Sequence, residues 1–579
     1  MKLIGITIIL FAGMLFAQSS MEKFTPQLNK VLDKANENEE LLVWVFFSDK
    51  GENTQFYFSN PTLVVSEKSL KRRAKVLDEN NLLTQRDLPV NQNYIDQVNS
   101  LGFNVKQKTK WFNGVSGWAT KSELVQFANL PFVKQLDIVY RFRKDKLDEE
   151  SLNDNPERNQ NLSKPDGTNS YNYGQSFTQI DQITVPQVHD LGYTGAGVTI
   201  CMMDAGFDRW TSHQVFSSIN VIATWDFVDG DSDVENGNVG TGSHGTSTLS
   251  LIGGFYEGQL IGPAFGANFI LARTEDIYSE TPIEEDNWIA AMEWADTIGV
   301  DVTSTSLTYL DFDPPYPSYT WEDMDGNTAK ITNGADYAVY IGIYVANSAG
   351  NYGNNPSHNT LGAPADGDSV MAIGSVNSSG SRSSFSSVGP SADGRIKPDL
   401  MAMGSNDYVA CQSSNTCYGN GSGTSFSCPL SAGCAALLLE VAPNLTPMQL
   451  VSLLKNTASR SSNPDNLYGW GIINTYAAAL SLLTGTNPIQ SPEDFYILQN
   501  YPNPFNPSTK IRFAVPEKSH VKLSLYDILG RELSVIFNDE FNAGVKEVEF
   551  NGSNLPSGIY LVKMDADNYQ KTLKISLLK

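Results

Sequence analysis

The apolar and polar positions divide this chain into stretches of different period. Leu41 to Phe47 is an unbroken apolar run, the pattern of a strand buried on both faces. Gly114–Ala119 and Val133–Val139 predict further strands, and the basic stretch Lys68–Ala74 predicts a helix. Residues 18–150 therefore read as one α+β unit. From 151 to 175 apolar residues thin out, and Asp, Asn, Glu, Ser and Lys dominate. That is the composition of a solvated linker, and a polar link between folded units is where proteolytic processing is expected.

From 176 to 485 strand-like runs alternate with helical ones. Val198–Met203, Val300–Ser304 and Ile341–Ala346 predict strands, whereas Trp288–Ala295 and Ser431–Val441 predict helices. The alternation predicts an α/β domain, a parallel sheet with helices on both faces. Beyond 486 the period shortens. Val521, Leu523 and Leu525 alternate with Lys522, Ser524 and Tyr526, and Gly558–Met564 and Leu573–Leu577 continue the theme. Residues 486–579 thus predict a small β-sandwich.

At the start, Lys2 precedes an apolar run, Leu3–Phe16, that ends at Ala17. Residues 1–17 read as a secretory signal peptide, because the run is short for a membrane span of about 20 residues. No second apolar segment approaches that length, so no transmembrane segment is expected in the mature protein. The 579 residues are too many for one compact domain. Lys and Arg total 40 against 64 Asp and Glu, a net charge of -24 that argues against nucleic acid as a partner. Of the five cysteines, Cys411 and Cys417 bracket a short polar stretch and are the candidate disulfide. Cys201, Cys428 and Cys434 lie in apolar runs and read as small buried hydrophobes.

Three segments carry candidate chemistry. Asp204 ends a buried strand, at the rim where α/β folds place their sites. His244 sits at a predicted helix start between Ser243 and Gly245. Ser425 follows the Gly-rich turn Gly421–Gly423 and precedes a helix of small residues. A serine there is surrounded by helix N-terminal N–H groups that favour negative charge. Its hydroxyl needs a base to take the proton, and the base needs an acid to fix its tautomer.

The segments Asp204-Ala205-Gly206, His244-Gly245-Thr246 and Gly423-Thr424-Ser425, in that order, resemble the subtilisin-like serine proteases. The resemblance runs from Gly192 to Gly471 and includes Gly262-Pro263-Ala264 and Gly394 to Asp399. It implies a secreted serine endopeptidase of subtilisin-like fold with Ser425 as nucleophile, His244 as base and Asp204 as its orienting acid. Asn351 matches the family's oxyanion-hole asparagine. Ser306, Leu307 and Thr308 match the edge that pairs with an extended peptide, and Ala349 and Gly350 match a second substrate-binding segment. The sequence departs from the family at Thr308, usually Gly, at Ala205, usually Ser or Thr, and at Phe426-Ser427, usually Met-Ala. The flanking units resemble family propeptides (18–150) and the C-terminal sorting domain of type IX secretion (486–579). The latter rests on Tyr501–Thr509, Tyr526–Arg531 and Ser557–Tyr560. A zymogen follows, with protein or peptide substrates, its own propeptide as inhibitor, the type IX machinery as partner, and secretion or display on a Gram-negative bacterium. The alternative is a non-enzymatic surface-binding protein on a protease fold.

Catalysis of this kind requires no cofactor. Structural calcium is a candidate at two acidic turns, Asp229/Asp231/Asp233/Glu235 and Asp323/Asp325/Asn327. Val234 stands where an EF-hand loop needs Gly, and a solvated acidic loop is the better reading of each. Glu275, Asp276, Glu280, Glu284, Glu285 and Asp286 either line the cleft or face solvent. His213 reads as structural.

Overall fold

The structure, a computed structural model, describes residues 22–139 apart from 53 and 79, then 169–236, 243–275, 284–310 and 318–484. It also describes 495–579 apart from 498, 499, 501, 502, 504, 517, 542, 543 and 568. The expected signal peptide, residues 151–168 of the expected linker, Asp276, Glu280 and part of Tyr501–Thr509 lie outside the described residues. The chain divides into two compact units after Leu483.

The N-terminal part is an antiparallel sheet of β1 (Leu41–Phe47), β2 (Asn104–Thr109), β3 (Gly114–Ala119) and β4 (Val133–Ile138), in the order β2-β3-β1-β4. Val43, Val45 and Phe47 face a core with Ile95, Val98, Phe127 and Leu136. Leu42 and Trp44 point the other way and are equally buried. On that side Lys330 of the next domain lies over the Phe46 ring, 5.4 Å from its centre. Two covered faces explain why β1 shows no polar alternation. Between β1 and β2 an arm carries the helix α1 (Glu67–Arg73).

The central domain is a seven-stranded sheet in which every pairing is parallel. Its strands are β5 (Thr199–Asp204), β6 (Asn220–Asp226), β9 (Asn268–Arg273), β10 (Val302–Thr305), β11 (Tyr344–Ser348), β12 (Met371–Val376) and β13 (Leu400–Met403). The order is β13-β12-β11-β10-β5-β9-β6. A short ribbon, β7 (Phe255–Tyr256) with β8 (Leu260–Ile261), and a hairpin, β14 (Ser405–Ala410) with β15 (Tyr418–Ser422), complete it. Helices cover both faces. α2 (Ser243–Gly253) packs with α5 (Thr424–Val441), and α3 (Glu284–Ile298) packs with α4 (Lys330–Tyr340). Because β11, β10 and β5 are adjacent and parallel, their C-terminal ends share one edge. That edge carries Ala349 to Asn351, Ser306 to Thr308, and Asp204.

Three expectations shift. Residues 169–175 are not linker: Tyr173 is buried and its hydroxyl meets His189 Nδ1 at 2.8 Å. The strand expected from Ile341 begins at Tyr344, because Ile341–Ile343 form the exit from α4, with Gly342 at φ +99°. The helix expected from Ser431 already begins at Thr424.

The C-terminal unit pairs two antiparallel sheets. One is β16 (Tyr496–Ile497), β17 (Ser508–Val515) and β20 (Gly544–Asn551); the other is β18 (Ser519–Tyr526), β19 (Glu532–Phe541), β21 (Gly558–Ala566) and β22 (Tyr569–Leu577). Val521, Leu523 and Leu525 from one sheet and Ile511 and Phe513 from the other share a core, as their alternation predicts.

Candidate active site

Asp204 ends β5 with its side chain buried. Its Oδ1 accepts from the Ala205 N–H at 2.7 Å and from His244 Nδ1 at 2.6 Å. Its Oδ2 accepts from Thr248 Oγ1 at 2.9 Å. A carboxylate is acceptor-only, so His244 Nδ1 carries a proton, and the tautomer that this bond selects has its lone pair on Nε2. His244 lies in the first turn of α2. Gly245 beside it lets the Asp204 loop approach: a Cβ there would sit 2.0 Å from the Gly206 carbonyl oxygen.

Ser425 lies in the first turn of α5, where backbone N–H groups have no acceptor one turn back. The next residue, Phe426, has its ring centre 6.2 Å from that of His244. The helix is tied to the end of β10 by a reciprocal pair. Ser425 Oγ donates to the Ser306 carbonyl at 3.1 Å, and Ser306 Oγ donates to the Ser425 carbonyl at 2.9 Å. The second bond has a reason in the sequence. Pro429 stands where an N–H would bond back to the Ser425 carbonyl, and proline has none. Ser306 supplies the missing donor. In this arrangement the one proton of Ser425 Oγ goes to a carbonyl, so delivery to His244 requires a turn about its side-chain torsion.

Asn351 faces the same helix start. Its Oδ1 accepts from both Thr424 N and Thr424 Oγ1, each at 2.9 Å. A backbone N–H can only donate, so the amide orientation is fixed and Nδ2 is the group turned elsewhere. Gly350, at φ +109°, allows this turn; a Cβ there would lie 2.8 Å from Ser387 Oγ. Ala349 is buried and its N–H bonds the Ile373 carbonyl.

Leu307 and Ser306 are buried, and Thr308 is half-buried. The Leu307 carbonyl accepts from Asn347 Nδ2 at 3.0 Å. Tyr309 pairs with Ala363 through two backbone bonds of 2.9 and 2.8 Å. Thr308 stands opposite Gly362, where a Cβ would meet the Thr308 Cβ at 2.8 Å, so the threonine is accommodated by that glycine.

The acidic groups are placed differently from a solvated face. Glu275, Glu284, Glu285 and Asp286 are all buried. Glu275 accepts from the Tyr309 hydroxyl at 2.6 Å, and Glu285 accepts from the Ile331 N–H at 2.8 Å. Asp286 lies under the N-terminal sheet near Ser116, and burial pushes its carboxyl well above the usual range. Arg273 supplies the positive charge of the first candidate calcium turn, with Nη1 at 2.6 Å from Asp226 and 2.7 Å from Asp229. Asp231 and Asp233 each accept an N–H two residues on. Asp325 likewise caps Asn327 and Thr328. Among the described residues no group of three or more His, Cys, Asp or Glu side chains is placed to hold a metal ion. His213 is structural: Nδ1 accepts from the Val215 N–H, so Nε2 donates to the Cys417 carbonyl at 2.8 Å. Cys411 and Cys417 form a disulfide, and Cys201, Cys428 and Cys434 are buried thiols.

Sequence reasoning missed the face that the N-terminal domain covers. Glu293 on α3 accepts from Thr109 Oγ1 and from the N–H groups of Lys110 and Trp111, at 2.5, 2.9 and 3.0 Å. One turn further along α3, Arg72 donates to Asp296 and to the Val300 carbonyl, and Arg73 bridges Asp296 and Asp87. The Arg72 guanidinium also bonds the Ile341 carbonyl at the end of α4. It thereby satisfies carbonyls that helix ends leave without partners. Thr248 was likewise missed; its position one turn after His244 is the signal that marks it.

Residues 195–471 match the subtilase family. Residues 42–159 match the Peptidase S8 propeptide domain of Bacteroidota, and 499–577 match the secretion system C-terminal sorting domain. Subtilisin NAT of Bacillus subtilis subsp. natto is 34% identical over 314 residues, 54% of this chain and 73% of that protein. Subtilisin E of Bacillus subtilis strain 168 gives the same identity and coverage. Subtilisin DY of Bacillus licheniformis is 34% identical over 300 residues, 52% of this chain and 97% of that protein.

Proposed function

The chain belongs to the subtilase family and is a serine endopeptidase, and on that premise we propose that Asp204, His244 and Ser425 are its catalytic triad. The observation that carries this reading is the 2.6 Å bond from His244 Nδ1 to the buried Asp204, which leaves Nε2 as the base. Ser425 Oγ attacks the scissile carbonyl as His244 Nε2 takes its proton. The Asp204 carboxylate steadies the imidazolium that forms. The carbonyl oxygen becomes an oxyanion held by Asn351 Nδ2 and the Ser425 N–H. His244 then hands its proton to the leaving amine, and water repeats the sequence on the acyl-enzyme. Extended peptide lies along Ser306–Thr308 and Ala349–Gly350.

The chain is made as a zymogen with boundaries at 1–17 for the signal, 18–150 for the propeptide, 176–485 for the protease and 486–579 for the sorting domain. The propeptide inhibits the protease until it leaves, and the sorting domain addresses the chain to the type IX machinery for release or surface display. The contacts of Glu293 and Asp296 with the N-terminal domain support the inhibitory role.

A serine-directed phosphonate tests the triad. Labelling is expected on Ser425 in the wild-type chain and is lost in Ser425→Ala and strongly slowed in His244→Ala. Equal labelling in all three chains would refute the assignment.

A further inference from the structure

We propose that Thr248 is a positioning residue for catalysis, holding the Asp204 carboxylate in the plane that orients His244. The inference rests on the triad reading above, and it begins with helix geometry. Thr248 follows His244 by four residues on α2, so both side chains project from one face of the helix toward the end of β5.

They divide the Asp204 carboxylate between them. His244 Nδ1 and the Ala205 N–H approach Oδ1, while Thr248 Oγ1 approaches Oδ2 at 2.9 Å. Thr248 and Asp204 are both fully buried. Among the described residues, Thr248 is the only hydrogen-bond donor to Oδ2. The Thr248 hydroxyl has one proton and two acceptors in reach, the other being the Gly245 carbonyl at 3.1 Å. A charged acceptor makes the stronger bond, so the proton goes to Asp204.

Donors on both oxygens fix the rotation of the carboxylate about its Cβ–Cγ bond. With Oδ2 unpaired in a buried site, the group turns toward whatever donor it finds, and the His244 bond is displaced with it. Thr248 touches neither substrate nor the reacting atoms and acts through Asp204.

The test compares Thr248→Val with Thr248→Ser in the full chain, measuring kcat and KM on a peptide anilide per mole of folded protein. Valine keeps the shape and removes the hydroxyl; serine keeps the hydroxyl and removes a methyl. We expect kcat of the valine variant to fall about 10- to 100-fold, as for loss of a hydrogen bond to a charged group, with KM within about twofold. Serine restores most of that rate. A packing role gives the opposite ranking, so a valine variant with wild-type kcat, or a serine variant as slow as valine, overturns the proposal. Should the valine chain fail to fold, alanine takes its place in the comparison with serine. Labelling of Ser425 by phosphonate in the same samples separates this proposal from the triad: unlabelled wild type indicts the triad itself.

Discussion

Arg72 of the N-terminal domain and Asp296 of the protease domain form a 2.5 Å ion pair, with side chains 2% and 0% exposed. Burial alone would raise the Asp296 carboxyl, but Arg73, Lys110 and Arg72 hold it well below the usual range. Removing Arg72 leaves Asp296 paired with Arg73 and Lys110 but strips a charged hydrogen bond from it and the donors from the Val300 and Ile341 carbonyls, at a cost of about 1.5–3 kcal/mol. Arg72→Ala in a Ser425→Ala precursor is therefore expected to lose about that much stability in denaturant titration. A midpoint within error of the parent would show that the pair does not anchor the domain.

Docking of the N-terminal domain should weaken as pH rises. Burial raises the carboxyls of Asp286, Glu285 and Glu293 in the docked state. Around Asp286 stand Ser116, Glu285 and Lys330, and Lys330 is itself paired with Asp137 of the N-terminal domain at 2.7 Å. A group raised on docking favours the docked state fully below its free value, about 4, and that contribution is lost as pH climbs toward the raised value. Asp296, held ionised, has the opposite sign and acts only below that range. The cleaved N-terminal domain is thus expected to leave faster at pH 8 than at pH 5, as followed by gel filtration. Asp286→Asn should flatten the dependence; an unchanged slope in that variant would count against it.

Asn351→Ala should reduce kcat by about 10²–10³, the usual loss for one oxyanion donor, with little change in KM. Because Thr424 holds Oδ1, the asparagine is already oriented before substrate arrives. Asn351→Asp keeps that tie and lacks the N–H₂ group, so it should be no faster than alanine. Retained activity in the aspartate variant would mean that the tie, not the donor, is what the residue provides.

His189 is a buried neutral imidazole between the Tyr173 hydroxyl and the Pro263 carbonyl, each at 2.8 Å. Burial lowers it from 6.5 to about 4. The unfolded chain takes up the proton first, so the stability it contributes is full above pH 6.5 and lost as pH falls toward about 4. The difference corresponds to about 3 kcal/mol. The stability gap between wild type and His189→Gln, measured by urea unfolding, should narrow across that window. A gap that stays constant from pH 7.5 to 4 would rule out the imidazole as the titrating group.

The triad segments were legible because each is short and local: a strand-end Asp, a helix-start His and a Gly-rich turn before Ser425. Strands buried on both faces announced themselves in the same way, β1 above all. What the sequence hides is contact at a distance. Arg72 lies 224 positions from Asp296, and a Lys-Arg-Arg run on a short helix reads as a solvated face. The acids at the start of α3 read as cleft or surface because nothing in their spacing tells of a domain laid over them. The early start of α5 was obscured by Pro429, which the helix tolerates because Ser306 replaces the missing donor. Thr248 was silent for a simpler reason: a threonine inside a helix is ordinary until the strand opposite is known.

The arm bearing Arg72 and the loop bearing Lys110 and Trp111 grip α3 at two neighbouring acids, Asp296 and Glu293, one turn apart near its C-terminal end. A guest held at two points departs only when both grips open together. If one slips, the other keeps it at a local concentration of about millimolar or above, and the lost grip re-forms. Cutting the chain between the domains therefore does not by itself release the N-terminal domain from α3.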